Sequence, residues 1–149
     1  MPETRDPLRI AIACFLAWAI PGSGHMYLGR VRKGVIFLVI VLMTFGIGIA
    51  LKGRVYLASS KQPLSFLATF ANVSVGPIDL IGRLASYDRI IYSFPSETDR
   101  DLYQEILDRQ RARILAVTNE YGTTFLLTAG LMNLLLILDA FDLGIGRKT

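Results

Sequence analysis

The residues of this chain that could do chemistry are one histidine, one cysteine and a few carboxylates that lie in or beside apolar stretches. Catalysis needs a nucleophile, a base and an orienting group brought together, and Cys14, His25 and Asp139 are residue types that could fill these roles. Cys14, however, lies in an uninterrupted apolar run, where a thiol is usually inert packing. We therefore predict no catalytic residues and no enzyme activity.

The same side chains could also hold a metal ion or carry a proton. His25 with Asp139 or Asp142 would supply the metal ligands, and His25 could alternatively act in a proton relay. A lone histidine is more often a hydrogen-bonded structural residue, and a single cysteine leaves no disulfide within the chain and no Cys-based metal site. We predict neither a metal nor a cofactor.

The densest pattern in the chain is the turn PGSGHMYLGRVRKGVIF, which follows the first apolar segment. Its proline favours the end of a helix at the preceding residue, and we expect Gly24 and Gly29 to adopt backbone angles that other residues avoid. A turn at membrane depth needs partners for its polar groups, which the side chains of His25 and Tyr27 could supply. The candidate structural residues of this turn are Pro21, Gly22, Gly24, His25, Tyr27, Gly29, Arg30, Lys33 and Gly34.

Polar residues inside the apolar segments are candidates for burial, and these are Asn72, Asp79, Asn133, Asp139 and Asp142. Asp139 and Asp142 are three residues apart and therefore lie near one face of a helix. We expect these two carboxylates to pair with bases such as Arg30, Arg32 or Arg147, and an ion or proton path is the alternative. Asn72 and Asn133 are candidates for hydrogen bonds between helices.

Four apolar segments must position these residues, at about 8–28, 34–51, 64–82 and 123–143. The chain has 149 residues, of which 52% are hydrophobic, and a soluble domain of this size would expose too much of that surface. A helix that crosses a membrane needs about 20 apolar residues, which the second and fourth segments provide. The sequence predicts one all-α domain over 1–149, an integral membrane bundle of three or four spans.

One polar amphipathic helix is predicted outside the membrane, at about 96–117. Acids crowd its first half and bases its second, an order that complements the helix dipole, and Ser96 with Asp99 resembles a capping box. We interpret it as a solvated helix lying against the membrane domain, and a docking surface for a partner is the alternative.

The orientation in the membrane depends on whether the first segment crosses. If all four segments cross, the side with the polar helix carries slightly more Lys and Arg, so we expect that side in the cytoplasm and both chain ends outside. If the first segment is a re-entrant hairpin, the amino terminus moves to the cytoplasmic side. Ala17-Trp18-Ala19 imitates a signal-peptide cleavage site, but Glu3 and Asp6 precede the apolar run, so we do not expect cleavage.

The turn motif P-G-x-G-H-x-Y-L-G-R-x-x-K-G-x-x-F, at 21–37, resembles the first half of the two-transmembrane-helix domain family. The pieces LAWAIPGSGHMYLGR, PLSFLATFANVSVGP and EYGTTFLLTAGLMNLLLILDAFD are similar to a bacterial family of small multi-pass membrane proteins that is defined only as a domain of unknown function. These resemblances imply a multi-pass membrane protein with a helical hairpin at the turn, and they imply no catalytic residue.

The function that the sequence predicts is that of a structural or accessory subunit in a membrane complex, in the bacterial inner membrane. A small channel, transporter or lipid-handling protein that uses His25 and the intramembrane Asp residues is the alternative. The expected partners are the lipid bilayer and other membrane subunits or further copies of the chain. The net charge of +4 is attributed to bases beside the spans, and because no basic stripe alternates with aromatic residues we expect no nucleic-acid binding.

Overall fold

The computed structural model describes residues 6–59, 63–95, 98–114 and 118–147. These ranges contain the helices α1 (Pro7–Ala19), α2 (Ser23–Tyr27), α3 (Val31–Ala50), α4 (Pro63–Val73), α5 (Ile78–Tyr87), α6 (Arg100–Ile114) and α7 (Asn119–Gly144). Within the described residues, Ala58 and Ser93 also form an isolated parallel β-bridge. The predicted all-α class is confirmed.

The longest helix, α7, is the centre of the bundle and packs against α1, α3 and α4. α3 runs antiparallel to it. Near the start of α3, Phe37 contacts His25, which in turn meets Asp139 late in α7, whereas Gly48 near the end of α3 lies against Leu126 early in α7. The bundle core combines residues of these helices and the loops beside them, namely Val41, Phe45, Val55, Val75, Leu126, Ala129 and Leu136.

The first hairpin, α1 and α2, covers only half the length of α7. Ile10 in α1 lies against Gly144 at the end of α7, and Ala17 near the end of α1 is bonded by Asn133 in the middle of α7. The chain then turns, and α2 leads back to the start of α3. We call the end of the bundle where α1 and α3 begin and α7 ends the near end, and the opposite end the far end.

A second hairpin, α4 and α5, enters the bundle from the far end. α4 passes Gly130 and is followed directly by a turn that bonds Asn133. After this turn, α5 returns toward the far end and packs Gly82 against Phe45 of α3 and against Val55 in the loop after α3. The two hairpins therefore approach from opposite ends and meet halfway along α7.

The half-length helices α1 and α4 pack along different halves of α7, α4 along the first half and α1 along the second. They have 13 and 11 residues, which at 1.5 Å per residue correspond to about 20 Å and about 16 Å of helix. Their combined length of about 36 Å approaches the roughly 39 Å of the 26-residue α7. Together they form a broken third column beside the two continuous helices α3 and α7.

The polar helix α6 closes the far end over a second apolar cluster. Its residue Ile106 is buried against Leu57 and Tyr87. Arg109 of α6 binds Asp88 at 2.6 Å, and this hydrogen bond raises the pKa of the Arg109 guanidinium. The helix expected at about 96–117 is thus present over 100–114, while Ser96 and residues 115–117 lie outside the described residues.

In the part of the chain that the structure describes, two helices are long and apolar enough to cross a membrane, α3 and α7. Only 22% and 33% of their most apolar windows are buried, so neither resembles the enclosed core helix of a soluble domain. The segments expected at about 8–28 and 64–82 are each interrupted by a turn, which leaves the short helices α1 and α4.

Candidate functional site

Three contacts in the described part of the bundle involve polar residues that the sequence singled out, and the first joins His25 to Asp139. His25 Nε2 lies 2.8 Å from Asp139 Oδ2. The His25 side chain has no exposed surface, whereas 29% of the Asp139 side chain is exposed. The edge of the His25 ring packs against Phe37 of α3, with 5.1 Å between the ring centroids. The pair therefore ties the first hairpin to both continuous helices.

Small residues in the turn allow α2 to reach this position. Gly22 has a φ of +80°, and a Cβ there would collide with the backbone of Gly34. Gly29 has the positive φ that the motif predicts, at +85°. For Gly24 the predicted backbone reason is wrong, because this residue is helical, and a Cβ would instead collide with the backbone of Ala13 in α1.

The other candidate residues of the turn differ in burial. Pro21 and Gly34 are buried, Tyr27 and Lys33 are exposed, and Arg30 is half-buried at the start of α3. Ser23, which the sequence analysis did not single out, places its hydroxyl 2.8 Å from the backbone oxygen of Ile20. Serine after a helix-ending Pro-Gly is the signal that could have identified it.

The second contact centres on Asn133, which is fully buried at the middle of α7. Its Nδ2 donates to the backbone oxygen of Ala17 at 3.2 Å and to the backbone oxygen of Ser74 at 2.6 Å. The first oxygen belongs to the end of α1 and the second to the turn after α4. The hydrogen bonds between helices expected of Asn133 are therefore present, and one side chain joins both hairpin tips to α7.

The tips also contact each other directly. The indole N–H of Trp18 donates to the backbone oxygen of Val73 at 3.2 Å. Gly76 has a φ of +79°, and a Cβ at this position would collide with the backbone oxygen of Trp18. Backbone of the two tips thus lies in direct contact, which only a glycine permits.

The third contact, near the far end, is a buried ion pair within α5. Arg83 Nε donates to Asp79 Oδ2 at 2.6 Å, and both side chains are almost fully buried. Arg83 Nη1 donates to the backbone oxygen of Ile91 at 2.5 Å, and the guanidinium lies 4.0 Å from the ring centre of Tyr92. Sequence reasoning found Asp79 but not Arg83, although their i, i+4 spacing was a usable signal.

The remaining candidates take no part in these contacts. Asn72 is buried, and its Nδ2 has no hydrogen-bond partner in the described part of the chain. Asp142 is half-buried. The expected pairing of Asp139 with Arg30, Arg32 or Arg147 is replaced in the structure by the pairing with His25.

The first two of these contacts join helices of the bundle to one another, and the third lies within α5. Cys14 is a half-buried free thiol of α1. Within the described ranges, no three His, Cys, Asp or Glu side chains are grouped so that they could hold a metal ion. Among the described residues, the ionisable pairs of the interior are His25 with Asp139 and Arg83 with Asp79.

Comparison with known proteins identifies the family. A model described as a family of unknown function (DUF6677) matches residues 12–149, and the chain belongs to this family. Over 29 residues the chain is 59% identical to the uncharacterized protein MJ1516 of Methanocaldococcus jannaschii, a match that covers 20% of this chain and 29% of that protein. The chain therefore spans less than a third of the length of this relative. No solved structure matches the chain.

Proposed function

We propose that this chain is an integral membrane protein with two spanning helices and two half-depth hairpins, and that it serves without catalysis as a structural or accessory subunit of a membrane complex. The observation that carries the proposal is the distribution of polarity. Fully buried side chains include the polar residues His25, Arg83 and Asn133. Large apolar side chains cover the outside, among them Leu8, Phe15, Val35, Met43, Leu64, Leu67, Ile81 and Leu135.

Lipid explains this distribution and water does not. In a bilayer, no hydrophobic driving force favours burial of apolar side chains against protein, whereas polar groups must find partners inside. Leu64 of α4 is 77% exposed and Met43 of α3 is 61% exposed. Such a surface would be an aggregation hazard on a soluble monomer.

The half-depth hairpins are compatible with a membrane because their tips are covered by protein. Irregular backbone at membrane depth is tolerated only where other protein groups satisfy it. Asn133 provides two of these hydrogen bonds and Trp18 a third. The broken column of about 36 Å is also long enough to match a hydrocarbon layer of about 30 Å.

We place the near end of the bundle in the cytoplasm. Bases lie directly at its helix ends, namely Arg9, Arg30, Arg32, Lys33 and Arg147, and Lys and Arg next to spans favour the cytoplasmic side. The far end has Lys52 and Arg54 beside α3, whereas the bases of α6 lie six or more residues before the start of α7. Compared with the orientation expected for four spans, the turn at 30–33 stays in the cytoplasm, whereas both ends of the described chain move there and α6 moves outside. A cytoplasmic amino terminus is the outcome expected if the first segment is a re-entrant hairpin.

A structural role is favoured over transport because each of the buried residues His25, Asn133 and Arg83 binds a partner within the bundle, although His25 Nδ1, Asn133 Oδ1 and Arg83 Nη2 have none among the described residues. His25 binds Asp139, and Asn133 and Arg83 bind backbone oxygens. A channel or transporter is the second candidate. It is favoured by two helices that end at mid-depth, since transporters commonly build substrate sites between discontinuous helices.

Extraction of native membranes tests these proposals. Resistance to alkaline carbonate is expected of an embedded protein, and release into the supernatant would contradict membrane integration. After extraction in mild detergent, we expect the chain to migrate with a larger complex in a fixed ratio to other subunits. Migration alone would contradict the accessory role and direct attention to flux assays on His25 and Asp139 variants.

A further inference from the structure

We infer that the near end of the bundle is a binding surface for the headgroups of anionic phospholipids, with Arg30, Arg32 and Lys33 at its centre. The inference rests on the proposed membrane integration and adds a specific lipid partner to it. It is carried by the charges at this end and by how the fold groups them.

The central bases lie at the start of α3 without acidic partners. Arg32 and Lys33 are exposed and Arg30 is half-buried. None of the three has an ion pair within the described ranges. Three positive charges within four residues therefore face outward at the level where α3 leaves the bundle.

The start of α1 and the segment after α7 bring two further bases to the same end. Arg9 is an exposed residue in the first turn of α1, which begins at the near end, and Arg147 is exposed directly after α7. The contact of Ile10 with Gly144 fixes the start of α1 beside the end of α7. Positive charge from three separate segments thus collects at one end of the bundle.

The backbone of α3 adds to this positive field. Its first turn contains no acidic residue, and its N-cap residue Arg30 makes no side-chain cap hydrogen bond. The start of a helix carries partial positive charge, so placing Arg32 and Lys33 there is electrostatically unfavourable without an anion. A phosphate group would bind both the free N–H groups and the side chains.

Three described carboxylates lie at the near end and are outnumbered by its five bases, so the excess charge there is positive. Asp6 accepts a hydrogen bond from the backbone of Leu8 at the start of α1, and Asp139 binds His25. Asp142 is half-buried on α7. At the far end, by contrast, Arg83, Arg89, Arg109 and Arg111 are each paired with an acid.

The position of this surface identifies the occupant as lipid rather than a soluble anion. The bases lie at the end of a helix that can cross a membrane, at headgroup level under the proposed integration. Tyr27, 41% exposed beside them, is a residue type that favours this interface. Phospholipids with a net negative headgroup, such as phosphatidylglycerol, fit these properties.

Spin-labelled lipids test the inference on the full chain reconstituted in phosphatidylcholine vesicles. The measured quantity is the motionally restricted fraction of spin-labelled phosphatidylglycerol relative to spin-labelled phosphatidylcholine. The near-end variant carries Arg30→Gln, Arg32→Gln and Lys33→Gln. The control carries Arg89→Gln, Arg100→Gln and Arg111→Gln, which removes the same charge from exposed far-end positions.

We expect the unmodified chain and the control to prefer phosphatidylglycerol severalfold, and the near-end variant to lose most of this preference. Each base next to an anionic surface corresponds to up to about a fivefold change in binding. Equal preference in all three proteins, or an equal loss in the control, overturns the inference. Inorganic phosphate that displaces the lipid better than chloride at equal ionic strength also overturns it, in favour of a soluble anion. If no restricted lipid is seen with either label, membrane integration itself fails.

Discussion

Trp18 at the end of the first half-length helix donates its indole N–H to the backbone oxygen of Val73 at the end of the second. The two helices approach from opposite ends of the bundle, so this hydrogen bond marks the level at which their tips meet. Asn133 of α7 lies at the same level and bonds both tips. The stability of the bundle should therefore depend on the few contacts made where the ends of α1 and α4 meet beside Asn133.

Replacement of Gly76 tests the contact between the tips. Gly76→Ala should lower the free energy of unfolding by about 2–4 kcal/mol, because the positive φ and the close backbone of Trp18 both exclude a side chain. The matched control is Gly46→Ala in α3, where a Cβ meets nothing within 4 Å. The control should be neutral or stabilising by up to about 1 kcal/mol. Reversible unfolding in detergent measures both, and similar effects of the two variants would contradict the described tip contact.

Replacement of Asn133 tests the bonds that hold both tips to α7. Asn133→Leu leaves the backbone oxygens of Ala17 and Ser74 without a donor, and should cost about 2–4 kcal/mol of unfolding free energy. Asn72→Leu is the control, since Asn72 Nδ2 has no partner among the described residues, and it should be close to neutral. The prediction fails if Asn72→Leu is the more damaging change in the same unfolding assay.

A double-mutant cycle tests the pairing of His25 with Asp139. His25→Gln and Asp139→Asn should each destabilise the bundle, with a coupling energy of about 1–3 kcal/mol between them. Asp142→Asn, three residues along the same helix, should change stability by no more than about 0.5 kcal/mol. Additive single effects would show that the 2.8 Å contact contributes nothing to stability.

Removal of one partner from the buried ion pair should loosen the loop after α5. Arg83→Met leaves the Asp79 carboxylate buried and alone, and should cost about 3–5 kcal/mol. It also removes the donor to Ile91, so limited proteolysis should cut the 88–95 loop faster. Asp79→Leu added to this variant should restore part of the stability. Arg109→Gln, an exposed pair, should cost less than about 1 kcal/mol, and an equal cost for the two arginines would contradict the structure.

Cysteine accessibility tests the hairpin topology. In a chain that carries Cys14→Ala, the variants Arg9→Cys and Lys33→Cys should react with a membrane-impermeant maleimide from the same side of the membrane, the cytoplasmic one. Gln104→Cys in α6 should react from the opposite side. If the first apolar segment crossed the bilayer, residues 9 and 33 would be labelled from opposite sides. The observed labelling therefore decides between a hairpin and a span.

Much of the architecture is readable from the sequence because it depends on composition and period. The continuous apolar runs that become α3 and α7 reach spanning length by themselves, and an Asn in such a run needs an internal partner. The polar segment of α6 is evident from its charge order. These features depend on one stretch of chain at a time.

The hairpins and their partners depend on stretches far apart, and for this reason they escape local reasoning. Pro21 and Pro77 signal that a helix is interrupted, but the direction in which the chain leaves the turn is set by packing on α7. For Asp139 the sequence offers Arg30 and Arg32 as partners by charge and His25 as a possible co-ligand of a metal ion, without deciding among them, and in the structure it binds His25. The sequence does not predict Arg83 as the partner of Asp79, because a base in a weakly apolar segment is usually a surface residue.

The central position of α7 has a consequence for biosynthesis. As the chain emerges from the ribosome, both hairpins are made before the helix that carries Asn133 and Asp139. Until α7 arrives, the ends of α1 and α4 lack these hydrogen-bond donors and acceptors, which disfavours their residence in the hydrocarbon. Under the proposed membrane integration, we expect the two hairpins to remain at the membrane surface and to insert only once α7 is in place, so that a helix made after them directs their assembly.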